Sequence, residues 1–129
     1  MTDIFPALRY NDAHAAIDLI VDGFGFTKKA VHEDDKGVVQ HAELAYGDGI
    51  VMLGETPREP DPSRMEMPTG GGSLYIVVDD PDAHYARATA AGAKIRRELR
   101  DEDYGSRGYS AEDAEGNVWS FGTYQPWAS

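Results

Sequence analysis

Two side chains with acid–base potential stand two residues apart in the stretch VVQHAELAY: His41 and Glu43. In an extended strand, residues i and i+2 share a face, so an imidazole and a carboxylate would meet there as an acid–base pair or as half of a metal site. The plainer reading is that His41 only hydrogen-bonds inside a polar surface. A second cluster is DYGSRGYS, which brings Tyr104, Arg107 and Tyr109 together. A guanidinium there could clamp a carboxylate or stack on a ring, and a surface ion pair competes with both uses. His14 and His84 fall on helical stretches, at solvent or the edge of the core, and His32 lies beside an acidic turn. All three read as structural. The triplet Gly70 to Gly72 precedes a strand pattern and has no Lys-Ser/Thr after it, so it is a spacer and not a phosphate loop.

These residues need elements to position them. IFPALRY alternates like a strand and stops at Asn11-Asp12, an N-cap signal. Ala13, Ala16, Ile17, Ile20, Val21 and Phe24 then share one helical face, which Gly23 and Gly25 end. Strands are predicted over residues 26–33, 38–46 and 50–54, split by the turns DDKG and GDG. The stretch ETPREPDPSRMEMPTGGG has no periodicity and reads as a connection, in which Met65 and Met67 are loop residues or an apolar lid.

After this connection the pattern recurs. SLYIVVDD is a strand, PDAHYARATAAG is a helix with Pro81 at its first position, and strands follow over 94–100, 106–112 and 118–124. One constant offset relates the copies: it pairs Asp12 with Asp80, Leu8 with Ile76, Gly37 with Gly105 and Met52 with Ser120. Two βαβββ modules are therefore predicted, over 1–55 and 72–126 with a linker at 56–71. Each is too small to bury its own sheet, so the expectation is one α+β domain whose modules pack together or pair with another chain.

Composition narrows the function. The 129 residues contain 12 Lys plus Arg against 23 Asp plus Glu, a formal net charge of −11 that repels nucleic acid and anionic lipid. The lack of cysteine excludes disulfides, zinc–thiolate sites and thiol nucleophiles. No apolar run is long enough to cross a bilayer and the first ten residues lack a signal-peptide pattern, so a cytoplasmic location is expected.

The segments LRYNDAHAAIDLIVDGFGF, YIVVDDPDAHYARATAAGA and DAEGNVWSF, in two copies in register, resemble the vicinal oxygen chelate superfamily. That superfamily includes glyoxalase I, fosfomycin and bleomycin resistance proteins and extradiol dioxygenases. The resemblance implies a curved mixed-sheet cup with helices outside, and commonly a homodimer whose cups combine modules of two chains. It also implies four metal ligands, typically His or Gln early in each module's first strand and Glu in its last. Here those places carry Phe5, Met52, Ser73 and Ser120, none of them a competent ligand for such a metal. The expectation is a protein without metal or other cofactor, and hence without the isomerase, thiol-transfer or ring-opening chemistry for which relatives use one.

If those four residues face the cup, strand alternation adds Ala7, Arg9, Ile50, Tyr75, Val118 and Tyr124, with Leu8, Val51, Leu53, Leu74, Ile76, Trp119 and Phe121 toward the helices. Val39, His41 and Glu43, and in the second copy Arg107, Tyr109 and Ala111, are expected on the cup side as well. An aromatic cup with a few polar groups suits a small aromatic or cationic organic molecule, held by a binding protein of the bleomycin-resistance kind. The rivals are an enzyme using His41 or Glu43, with or without a rearranged metal site, and an accessory protein in a larger assembly.

Overall fold

Asp12 and Asp80 do the same job twice. Each has φ −126° and accepts a hydrogen bond at 3.1 Å from the amide three residues on, Ala15 and Ala83 respectively, which satisfies a free helix-end donor. The helices they start are α1 (Ala13–Asp22) and α2 (Pro81–Ala90). The computed structural model describes residues 3–103 and 105–126. Its strands are β1 (Ala7–Tyr10), β2 (Thr27–Glu33), β3 (Val39–Tyr46), β4 (Gly49–Glu55), β5 (Ser73–Val77), β6 (Lys94–Asp101), β7 (Arg107–Glu112) and β8 (Val118–Gly122).

The strands form two four-stranded mixed sheets, ordered β1-β4-β3-β2 and β5-β8-β7-β6. In each, the strand before the helix pairs parallel with the last strand, and the remaining pairs are antiparallel. The fold is thus the α+β pair of βαβββ modules that the repeat predicts, divided into two separate sheets. Even an auxiliary contact is duplicated in position: buried Glu55 accepts from the Val39 amide at 3.0 Å, and Thr123 accepts from the Arg107 amide at 3.1 Å.

The modules meet through their helix-side faces. One core cluster takes Tyr10, Ile17, Ile20 and Leu53 from the first module and Tyr109, Trp119 and Phe121 from the second. Phe24, just after α1, lies 5.4 Å from the Trp119 ring and 4.9 Å from that of Phe121. Polar groups on this seam are paired, as burial demands. The Tyr10 hydroxyl donates to Asp113 at 2.6 Å, and Glu115 accepts from the Asn11 and Asp12 amides. Arg87 of α2 donates to the Asp22 and Val21 carbonyls, placing a guanidinium on the negative end of α1.

Candidate functional site

With the helix sides turned toward each other, each module presents its opposite sheet face outward. In the first module, Met52 sits in register between Ala7 on β1 and Glu43 on β3, and directly opposed residues share a face. Ala7, Arg9, Gln40, His41, Met52, Gly54 and Met67 line a cavity of about 170 Å³ there. The His41 Nε2 lies 3.0 Å from the Glu43 Oε2, and the ring of His32, across on β2, stacks on that of His41 at 6.3 Å. The bond from His41 holds the Glu43 carboxyl below the usual carboxylate range. His14, on α1, stays exposed and bonds the Gly37 carbonyl at 2.9 Å.

In the second module, Ser110 opposes Ser120 and their hydroxyls bond at 2.7 Å. Together with Tyr75, Arg97, Gly108 and Gly122 they line a cavity of about 150 Å³. Two glycines keep this floor low. A Cβ on Gly122 would stand 3.1 Å from the Tyr75 hydroxyl, and one on Gly108 would stand 2.4 Å from the Phe121 carbonyl oxygen. The Tyr75 hydroxyl donates to the Tyr124 carbonyl at 2.7 Å, and their rings lie 6.3 Å apart as an exposed aromatic pair.

Several expected cup residues lie elsewhere. Tyr109 is 3% exposed and its side chain faces α2, where its hydroxyl meets His84 Nδ1 at 2.6 Å. Ala111 and Val39 are buried in the core as well. The cause is a bulge in β3: Glu33 pairs with Val39 and His32 with His41, which leaves Gln40 as an extra residue. β7 has no counterpart, because Asp101 pairs with Arg107 and Arg100 with Gly108. From Gly108 to the end of β7 the second copy therefore runs one residue short of the constant offset, which β8 restores, and Ser110, not Ala111, is the equivalent of Glu43.

Arg107 is held on the helix side by Asp82 at 2.7 Å and Asp101 at 3.2 Å, an arrangement that lowers the Asp82 carboxyl and raises the guanidinium. Phe5 precedes β1 and is half-exposed, while Ser73 is exposed at the start of β5. Tyr104 falls outside the described residues. His84, expected near solvent or the edge of the core, is buried: its Nε2 donates to the Phe24 carbonyl at 2.8 Å, so Nδ1 accepts from Tyr109. Burial holds that imidazole below its ordinary pKa.

Sequence reasoning missed Arg97, Ser110 and Arg64. Ser110 was available as the cross-strand partner of Ser120 once the bulge is placed; Arg64 carries no sequence signal, because it lies in the aperiodic linker. That linker borders a larger cavity, about 900 Å³, lined by Arg9 and Asn11 of the first module and by residues between Thr56 and Thr69. Arg9 and Met67 line both this space and the first-module cavity, so the two adjoin.

The residues at the four ligand positions do not fit a divalent metal of the kind the family resemblance implies. Phe5 has no donor atom, the Met52 thioether is soft, the Ser73 hydroxyl is neutral, and the Ser120 hydroxyl is engaged by Ser110. Among the described residues, no three His, Cys, Asp or Glu side chains are grouped to hold an ion. No helix among them is long and apolar enough to cross a membrane.

Residues 5–121 match the family model described as Glyoxalase/Bleomycin resistance protein/Dioxygenase superfamily, and the chain belongs to that superfamily. It is 31% identical over 121 residues to an uncharacterized protein of Mycobacterium bovis, covering 91% of this chain and 80% of that one. The crystal structure of TioX from Micromonospora sp. ML1 is 34% identical, with a TM-score of 0.80 over 97% of this chain and 100% of that one. The lactoylglutathione lyase of Agrobacterium tumefaciens, 20% identical, shares the fold with a TM-score of 0.73 over 99% and 97% of the two chains.

Proposed function

We propose that this chain binds a small aromatic molecule without transforming it, in a cup completed by a second copy of itself. The observation that carries the reading is the set Phe5, Met52, Ser73 and Ser120, which replaces imidazole and carboxylate at the ligand positions while the neighbouring surface keeps an exposed aromatic pair, Tyr75 and Tyr124. The need for a second copy rests on size and direction. The two sheet-face cavities, about 170 and 150 Å³, share no residue, and each by itself falls below the roughly 300 Å³ at which organic-ligand pockets begin, although the first adjoins the linker cavity of about 900 Å³. The exposed apolar side chains Ile4, Phe5, Met65 and Met67 would then be covered by the partner. The two arginines Arg9 and Arg97 on the outward faces favour the aromatic over the cationic form of the ligand.

The test is a titration of the purified protein with a panel of aromatic and glycopeptide antibiotics, followed by tryptophan fluorescence and melting temperature. A saturable shift in either is the expected result. If no compound moves either quantity, the binding reading fails.

The 3.0 Å contact of His41 with Glu43 supports a second reading, an enzyme of the same superfamily with His41 as general base. With Nε2–H donated to the carboxylate, Nδ1 keeps the basic lone pair. A His41→Ala variant that retained full turnover on any substrate found would remove it.

A further inference from the structure

In a chain of net charge −11, the Arg9 guanidinium has no ion pair and no hydrogen bond among the described residues, a state it shares with Arg58 and Arg97. It is half-buried on β1, where those groups are costly to leave without an acceptor. A second guanidinium, that of Arg64, reaches the same place from the linker and is fixed there by its Nη2, which donates to the Glu55 carbonyl at 2.9 Å. Both flank Gly54: the point at which a Cβ on that glycine would stand is 3.6 Å from Arg9 Nε and 4.0 Å from Arg64 Nη2, with the Gln40 carbonyl oxygen at 3.4 Å beneath them. A side chain there would fill the gap between the two guanidiniums, and glycine keeps it clear. Burial, together with their mutual repulsion, lowers the Arg9 pKa. Glu59, Asp61 and Glu66 line the linker cavity too, yet none comes within ion-pair distance of either arginine, and Asp61 is satisfied by Ser63.

We infer that Arg9 and Arg64 form an anion subsite above Gly54, which receives the carboxylate, sulfonate or phosphate of a ligand whose apolar body lies along Met52 and Met67. Two planar guanidiniums converging on one point offer the forked donors that oxyanions accept, and one anion relieves the repulsion between them. Arg9 and Met67 border both the sheet-face cavity and the linker cavity, so such a ligand would span the junction. This rests on the binding reading above and narrows it to an acidic aromatic ligand.

A matched pair of fluorescent probes separates the two. 1-Anilinonaphthalene-8-sulfonate and N-phenyl-1-naphthylamine share an aromatic body, and only the first carries a sulfonate. Both are titrated against wild type, Arg9→Gln, Arg64→Gln and Lys94→Gln, the last removing a positive charge from the exposed β6. The expected result is at least tenfold tighter sulfonate binding by wild type, a loss of fivefold or more in each arginine variant, no change in Lys94→Gln, and unchanged affinity for the uncharged probe throughout. Arg9→Gln is the decisive variant, since the Arg9 guanidinium bonds nothing among the described residues and its replacement leaves the linker anchored by Arg64. If wild type binds both probes equally, or Arg9→Gln leaves sulfonate affinity intact, the anion subsite is wrong while the aromatic cup stands. If neither probe binds, both readings fall.

Discussion

At the scale of single residues, the sharpest lesson is His84. A histidine on a polar-looking helix reads as a solvent residue, yet it is clamped in the core between the Phe24 carbonyl and the Tyr109 hydroxyl, with the Phe121 ring 4.2 Å away. Both of its nitrogens are used by the neutral form, and Arg87 nearby adds to the penalty on the charged one. The folded-state pKa therefore lies below the ordinary value of about 6.5, and the unfolded chain takes up the proton first. Stability from this group is complete above that value and is lost as pH falls below it, by up to about 1.4 kcal/mol per unit of depression. Urea unfolding at pH 7 and pH 5 should show wild type losing more stability than His84→Gln. The comparison is needed because His14, raised by its bond to Gly37, titrates with the opposite sign and is present in both proteins. Equal losses would show that His84 does not titrate between the two states.

At the scale of elements, the caps, helices and strand order were legible because each rests on local chemistry: Asp12 and Asp80 as caps, Pro81 at a helix start, Gly-containing turns between alternating runs. The facing of β7 was not legible, since one extra residue in β3, Gln40, breaks the correspondence between copies, and a one-residue slip exchanges every side chain between faces. A bulge leaves no composition signal. The candidate site inherited this error: Tyr109 and Ala111 went to the wrong face and Ser110 was overlooked, whereas Arg9, Met52 and Ser120, on strands with intact register, and His41, just beyond the bulge, line the sheet-face cavities. The docking of the modules was equally hidden, because Asp113 collects donors that lie far apart in sequence. Tyr10 reaches it from β1, Trp119 Nε1 from β8 at 3.1 Å, and the Glu115 and Asn117 amides from its own turn. Tyr10→Phe removes one bond to a buried carboxylate and should cost about 1.5–3 kcal/mol in chemical denaturation, with an unchanged m-value. A loss under about 0.5 kcal/mol would mean that the second module's own donors satisfy the Asp113 carboxylate without Tyr10.

At the scale of the whole molecule, the modules share one core through their helix sides, and in the proposed dimer a second copy related by a two-fold axis would bring the first module of one chain against the second module of the other. This geometry makes a prediction that stability data cannot imitate. Met52→Arg should block the first-module half-cup and Ser120→Arg the second, so each variant, as a homodimer, should lose binding of the aromatic probe. In a dimer of one Met52→Arg chain and one Ser120→Arg chain, cups built across chains divide unequally: one carries both substitutions and the other carries neither. Each mixed dimer formed by combining the two inactive variants after mild dissociation should therefore regain about half of the wild-type sites. Cups built within single chains would keep one blocked half each, and no mixture would bind. Sedimentation velocity on the same samples, with one variant carrying a solubility tag, shows whether mixed dimers formed, so an absent recovery in a sample that did exchange chains would assign each cup to a single chain.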